Sequence, residues 1–265
     1  MRKFLSRVLS LMLAALCLAG CGGEEKQNTD TVTFTDALGR QVTVEKGAER
    51  VAALLGSFAD VWALAGGDLC AAPEDAWEDF GLALENAVNL GGAHSPSLEL
   101  LVSAEPELVL ASASTASNVQ MREPLEAMGI TVAYFEVDNF EDYLAMLSVC
   151  TQITGRDDLY EKNGLALKAQ IDSIKASYAG AHKVLILRAA SGFVKAKGSA
   201  GTILGEMLSD LGCVNIADSD TGLLENLSVE AVIKENPDHI FIVPMGSDTE
   251  AARASIDKMI KEVLV

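Results

Sequence analysis

Basic residues are scarce in this chain of 265 residues: 20 Lys and Arg stand against 38 Asp and Glu, a formal net charge of −18. So acidic a surface repels nucleic acid and anionic lipid headgroups, and an anionic ligand would need a local basic patch set against that field. Cysteine is scarce too. Past Cys21 only Cys70, Cys150 and Cys213 remain. An odd, scattered three makes no disulfide framework and has no metal-ligand spacing, so they read as small buried thiols. Histidine is limited to His94, His182 and His239, little from which to build a zinc or manganese site. There is no Gly-x-Ser-x-Gly elbow, no His-Glu-x-x-His and no cysteine–histidine pair in a recognisable context, so a lobed hydrolase has no support. Coiled-coil heptads, low-complexity tracts and a membrane segment beyond the N-terminal run are all missing.

What is present begins at the N-terminus. Arg2, Lys3 and Arg7 precede an apolar run of about eleven residues, Val8 to Leu18, too short to span a bilayer. It ends at Leu18-Ala19-Gly20-Cys21. Small residues before a Cys resemble a bacterial lipobox, cut before Cys21 and lipidated on its sulfur, so residues 1–20 are excluded from fold reasoning. Without them the balance is 17 basic to 38 acidic, or −21. Residues 21–31 are polar and suit a tether.

One pattern is written twice. Ser97, Leu98, Glu99, Leu101 and Val102 lead to Pro106-Glu107 and then Val109-Leu110. Ser228, Val229, Glu230, Val232 and Ile233 lead to Pro237-Asp238 and then Ile240-Phe241. The offset is 131 residues at every pair. Each copy predicts a Ser N-cap, an acid in the first turn, a short apolar helix, a Pro-acid breaker and a buried strand. The spacing is too long for a solenoid and points to two similar lobes.

Around the repeats the pattern alternates strand and helix. Val32 to Val44 reads as a hairpin about Leu38-Gly39-Arg40. Val51 to Leu55 is a strand, followed by a helix from Gly56-Ser57 to about Ala65. Residues 71 to 92 read as irregular. A polar loop, Ser112 to Asn118, enters a helix ending at Met128-Gly129, and Ile130 to Phe135 is another strand. Two helical stretches split near Thr154-Gly155, the second running from Asp157 to about Tyr178. Val184 to Leu187 restarts the programme, and Thr202 reads as the N-cap of a helix stopping at Leu211-Gly212. The expected fold is α/β, two Rossmann-like lobes with parallel-type sheets joined by a single long helix. Boundaries fall at 32–156 for the first lobe, 157–180 for the connector and 181–265 for the second. The second copy is expected to be truncated, because no strand equivalent to 130–135 follows its last helix.

The lipobox, the segment Thr35-Asp36-Ala37-Leu38-Gly39-Arg40, the Leu98-Glu99 to Pro106-Glu107-Leu108-Val109 stretch and Leu211-Gly212-Cys213-Val214-Asn215-Ile216 together resemble the substrate-binding lipoproteins of ferric-siderophore, haem and vitamin B12 importers. The resemblance covers nearly all of the chain past Cys21. It implies an extracytoplasmic, lipid-anchored, monomeric receptor on the outer face of the bacterial cytoplasmic membrane. Such a receptor is no enzyme and has no cofactor; it holds an iron chelate, haem or cobalamin between its lobes. It also implies that Glu99 and Glu230 dock into basic pockets of an ABC permease dimer. A zinc or manganese receptor and a truncated, non-binding paralogue are the alternatives.

In open α/β sheets ligands sit beyond the carboxyl ends of the strands. That selects Ser57, Phe58, Ser112, Ser114, Thr115 and Asn118 in the first lobe, with Trp77 and Phe80 able to stack on a flat ligand. In the second lobe Arg188, Phe193, Lys195 and Lys197 fall in one expected loop and suit an anionic chelate. The plain reading of Lys195 and Lys197 is one solvated strand face. Trp62 reads as core. Gly198 to Gly205 lacks the Lys-Ser/Thr of a P-loop, so nucleotide hydrolysis is not expected.

Overall fold

The computed structural model describes residues 30–178, 181–219, 222, 228–245 and 248–263. The signal-like run, Cys21 and the tether through residue 29 lie outside the described residues. From Val32 onward the chain forms one compact unit.

Strands β1 (Thr31–Thr35) and β2 (Gln41–Glu45) form the expected hairpin as a separate two-stranded sheet. Its turn is organised by one carboxylate. Asp36 Oδ1 accepts the amides of Leu38 and Arg40, each at 3.0 Å. Asp36 Oδ2 accepts Arg40 Nε at 3.0 Å and Nη2 at 2.6 Å. Gly39, at φ +75°, supplies the left-handed residue that closes the turn.

The first sheet is parallel throughout, in the order β5-β4-β3-β6-β7. Its strands are β3 (Val51–Ala53), β4 (Ala71–Ala72), β5 (Val88–Asn89), β6 (Leu108–Ser112) and β7 (Thr131–Phe135). Residues 71–92 are therefore not simply irregular: they add two short strands to the sheet edge and one turn of helix. An Ala-Ala pair carries no period-two signal, which is why the sequence concealed them. The helices of this half are α1 (Gly56–Leu64), α2 (Asp75–Glu78), α3 (Leu98–Ser103), α4 (Ala116–Gln120), α5 (Arg122–Ala127) and α6 (Phe140–Thr154).

Strand periodicity divides the interior into two layers. Val51, Ala53, Leu108 and Leu110 face Trp62 of α1 and Met146 and Leu147 of α6. Ala52, Leu54, Val109 and Ala111 face Leu101 of α3 and Leu125 of α5. Burial on both faces explains why these strands read as continuous apolar runs. Trp62 is fully buried, as expected, and its indole nitrogen donates to the Asp68 carbonyl at 2.8 Å.

The connector is a rod with a change of pitch. Asn139 caps α6 through a reciprocal box with Asp142, and Gly155 ends it at φ +70°. Then come α7 (Asp157–Tyr160), a π-helical turn at Glu161–Leu165 and α8 (Ala166–Ser177). Gly164 lies in the π turn, where a Cβ would approach Leu144 and Leu147 of α6 to 3.1 and 3.3 Å.

The second sheet runs β10-β8-β11, all parallel, with β9 antiparallel on β8. Its strands are β8 (Lys183–Ala190), β9 (Phe193–Lys197), β10 (Val214–Asn215) and β11 (His239–Pro244). Its helices are α9 (Ile203–Asp210), α10 (Val229–Glu235) and α11 (Thr249–Val263). Val184 and Ile186 pack on Leu208 of α9, whereas Leu185 and Leu187 face Val232 of α10 and Met259 of α11. Among the described residues β11 pairs on one side only, while β6 is flanked by both β3 and β7.

The repeat is a repeat of backbone as well as sequence. Ser97 Oγ accepts the Leu100 amide and Ser228 Oγ the Ala231 amide, both at 3.3 Å. Among the described residues Glu105 and Asn236, 131 residues apart, are the two non-glycine residues at positive φ, +47° and +49°. The acid after the following proline then reaches the neighbouring strand: Glu107 Oε1 accepts the Arg50 amide at 3.0 Å, and Asp238 Oδ2 accepts the Lys183 amide at 2.9 Å.

The hairpin is bound to β7 through the same Asp36–Arg40 pair. Arg40 Nη2 donates to the Val132 carbonyl at 2.8 Å, Nη1 pairs with Glu126, and the guanidinium lies 5.1 Å from the Tyr134 ring centroid. Burial alone would raise the Asp36 carboxyl, but the hydrogen bonds and charge of Arg40 outweigh it and hold it below the ordinary 3.8. With the folded value depressed, this stabilisation is complete above the unfolded carboxylate pKa and is lost as pH falls through the folded one. Asp36→Asn should therefore cost about 2 kcal/mol at pH 7. Urea melts from pH 7 to 2.5 should show the gap between Asp36→Asn and wild type narrowing only below about pH 4.

Candidate functional site

The finishing ends of the parallel strands carry most of the residues selected from the sequence. Ser57 is exposed at the start of α1. Phe58 is not available: it is 4% exposed and packs edge-on against Phe135 at a centroid distance of 6.3 Å, because it lies on the inward face of α1. Trp77 is half-buried against the first core and Phe80 is exposed.

The loop after β6 is a locked structure. Asn118 is fully buried; its Oδ1 accepts the Ser112 amide at 3.0 Å and its carbonyl accepts the Tyr134 hydroxyl at 2.9 Å. Ser112, also buried, shares a 3.0 Å hydrogen bond with the exposed Ser114 through their hydroxyls. Thr115 occupies the N-cap position of α4. Asn118 and Ser112 thus shape the end of β6 and leave Ser114 and Thr115 outermost.

Arg188, Phe193, Lys195 and Lys197 lie on a hairpin, not in a loop. Antiparallel pairing sets Arg188 opposite Lys195, Ala190 opposite Phe193 and Ile186 opposite Lys197. Opposed and alternate residues share a face, so all four side chains project on the same side. That side is the one on which Ile186 meets α9. Lys195 Nζ lies 5.8 Å from the Phe193 ring centroid. None of the three cations Arg188, Lys195 and Lys197 has an ion pair among the described residues, whereas Arg40, Arg156, Lys168, Lys175 and Lys183 each have at least one. The neighbouring Gly198–Gly205 segment already has an anion of its own: Asp218 Oδ1 accepts the Ser199 amide at 2.7 Å, and Thr202 caps the Gly205 amide at 3.2 Å.

Glu99 and Glu230 are both exposed in the first turns of their Ser-capped helices. The Ser97 amide donates to the Leu90 carbonyl just past β5, which puts Glu99 at the finishing end of the first sheet.

A cavity of about 360 Å³ opens between α6, α8 and α9. Phe140 and Tyr143 come from α6, Ile171 and Ile174 from α8, Ile203 and Met207 from α9. No residue selected from the sequence lines it. Its members come from three elements far apart in the chain, and no local pattern marks them.

The histidines are elsewhere. The rings of His182 and His239 are 5.3 Å apart, and His182 Nδ1 lies 3.4 Å from Asp238 Oδ2. They stand at the starting ends of β8 and β11, away from the finishing ends. The described residues contain no group of three or more His, Cys, Asp or Glu placed to hold a metal ion. Cys150 is buried, with its thiol pushed up to about 12, while Cys70 and Cys213 are partly exposed. No helix among the described residues is long and apolar enough to cross a membrane.

A family model described as periplasmic binding protein matches residues 51–264. This chain belongs to the periplasmic binding protein family. Among its relatives is an uncharacterized ABC transporter substrate-binding lipoprotein of Bacillus subtilis, YvrC, 26% identical over 250 residues, covering 87% of this chain and 78% of that one. Solved structures share the fold. Staphylococcus aureus SirA, complexed with staphyloferrin B, has a TM-score of 0.66 at 20% identity over 86% of this chain and 82% of its own. The iron uptake ABC transporter substrate-binding protein PiuA of Streptococcus pneumoniae reaches 0.68 at 19% identity, covering 86% and 84%. A periplasmic heme binding protein of Pseudomonas aeruginosa gives 0.62 at 19%, covering 80% and 77%.

The locked β6 end gives a direct test. Asn118→Ala leaves the Ser112 amide buried without its acceptor, which should cost about 1–3 kcal/mol. Amide exchange at Ser112 should accelerate well beyond the change in global stability.

Proposed function

We propose that this chain is the substrate-binding lipoprotein of an ABC importer, anchored through lipid on Cys21 at the outer face of the bacterial cytoplasmic membrane. It carries an anionic iron chelate, a ferric siderophore or haem, to a permease dimer. Family membership and the lipoprotein and siderophore- or heme-binding relatives support the class of protein. The observation that carries the ligand class is the hairpin face of Arg188, Lys195 and Lys197 beside Phe193, three cations without an ion pair among the described residues in a chain of net charge −18. Charge-assisted contacts from such a face suit carboxylate, catecholate or propionate oxygens, and the phenyl ring suits a flat or aromatic surface. Ser57, Ser114, Thr115, Trp77 and Phe80 would complete the site from the first lobe. Direct capture of zinc or manganese is less well supported, because the paired histidines stand at the opposite ends of their strands.

Glu99 and Glu230 are proposed as the two docking points on the permease. They are equivalent residues of the repeat, each presented by the same capped turn, and two separated carboxylates fix register on a basic partner.

The ligand reading is tested by titrating the purified chain with ferric siderophores, haem, cobalamin and free Zn²⁺ or Mn²⁺, following tryptophan fluorescence. Saturation by a ferric siderophore or haem is expected, and replacing Arg188, Lys195 and Lys197 together by Ala should weaken it tenfold or more. Saturation by free metal alone would overturn this reading. Lys at both Glu99 and Glu230 should abolish uptake in cells without changing ligand affinity; undiminished uptake would remove the docking role.

A further inference from the structure

The cavity between α6, α8 and α9 has the opposite chemistry to the cationic hairpin. One wall is aromatic: Phe140 and Tyr143 stack with ring centroids 5.5 Å apart and planes 29° from parallel. The Tyr143 ring is held in place by its hydroxyl, which donates to the Asn163 carbonyl at 2.9 Å. Ile171, Ile174, Ile203 and Met207 line the rest with aliphatic surface, and Ile174, Ile203 and Met207 remain 58–59% exposed. So much open apolar surface in one concavity is what a ligand site offers.

The charged groups of the same groove are Glu141, Asp142, Lys168, Asp172, Lys175, Glu206 and Asp210. Both lysines are already engaged. Lys168 bonds Glu141 at 2.5 Å and Lys175 bonds Asp210 at 3.0 Å, so one face of α8 is tied to α6 and to α9. Asp142 is committed to the amides of Asp138 and Asn139. The carboxylates of Glu206 and Asp172 have no hydrogen bond or ion pair among the described residues. Glu206 lies in the apolar part of the cavity and Asp172 in its polar continuation.

We propose that this cavity is a second binding site, for a small organic cation with an apolar flank, an aryl- or alkylammonium. The faces of Phe140 and Tyr143 attract the cation through their ring quadrupoles, Glu206 supplies the counter-charge, and the isoleucines and Met207 take the flank. The volume of about 360 Å³ lies at the small end of the usual range for small-molecule sites. This site is independent of the chelate reading, since none of its residues belongs to the hairpin face.

The probe is phenethylammonium, with phenylacetate as the partner of like shape and opposite charge, titrated calorimetrically into the full chain. Phenethylammonium should saturate one site below about 1 mM, while phenylacetate should not bind. Glu206→Gln should weaken it tenfold or more and Met207→Trp, which fills the cavity, should abolish it. The Arg188, Lys195 and Lys197 triple Ala variant should bind it as wild type does. Equal affinity for the two probes, no saturation, or indifference to both Glu206→Gln and Met207→Trp would overturn the proposal. Loss of binding in the triple variant would also overturn it, by merging the cavity with the chelate site, whereas failure of every chelate to bind would leave it standing.

Discussion

One carboxylate at the start of a strand sets the frame of each half. Glu107 and Asp238 both follow a proline, and both turn back to accept an amide at the start of the neighbouring strand, that of Arg50 just before β3 or of Lys183 at the head of β8. A one-residue slip in a strand exchanges its two faces. Pinning the residue just before β6 beside β3, and the one just before β11 beside β8, therefore decides which side chains enter which core layer. It also decides where the strands finish, and so where any cleft residues stand. The left-handed residues Glu105 and Asn236 bring the chain into this corner. Asparagine tolerates that conformation better than glutamate does, so the first half meets the same geometry at a higher local cost.

Charge is distributed with the same economy. Several of the 20 basic residues are committed to structural pairs, and Arg40 is the extreme case, ordering the hairpin, β7 and the Tyr134 ring together. The cations of the β8–β9 face have no such ion pair among the described residues. The groove at α8 has the converse arrangement, with its lysines paired and two carboxylates, Asp172 and Glu206, without a hydrogen bond or ion pair among the described residues. A strongly acidic protein thus carries a cationic strand face beside Phe193 and a groove with spare carboxylates beside Phe140 and Tyr143.

Much of the fold was legible because it was local. N-caps, the αL glycines and the Pro-acid corner act over a few residues, so α3 and α10 begin and end where the repeat indicates. The hairpin at Leu38-Gly39-Arg40, the break at Gly155 and the Thr202 cap were legible for the same reason. The short strands β4 and β5 were not, since two residues carry no period and the pairing comes from their neighbours. Lys195 and Lys197 could be read as a loop or as a strand face, and only the fold-back of β9 on β8 sets them beside Arg188. Phe58 lay three residues past the expected strand end at Leu55 and read as a cleft residue, but the rotation of α1 turns it into the core.

By itself the sequence determined the alternation of strand and helix, the duplication at 131 residues, the scarcity of positive charge and the pair of Ser-capped acids, Glu99 and Glu230. These are properties of composition and of short-range sterics and hydrogen bonding. Only the tertiary structure decided that Arg188, Lys195 and Lys197 share one face, that Asn118 is a buried latch for β6, and that Phe140, Ile171, Ile203 and Glu206 surround one cavity. The physical reason is that such groupings depend on strand register, helix rotation and the packing of distant elements, and no local stretch of chain encodes them.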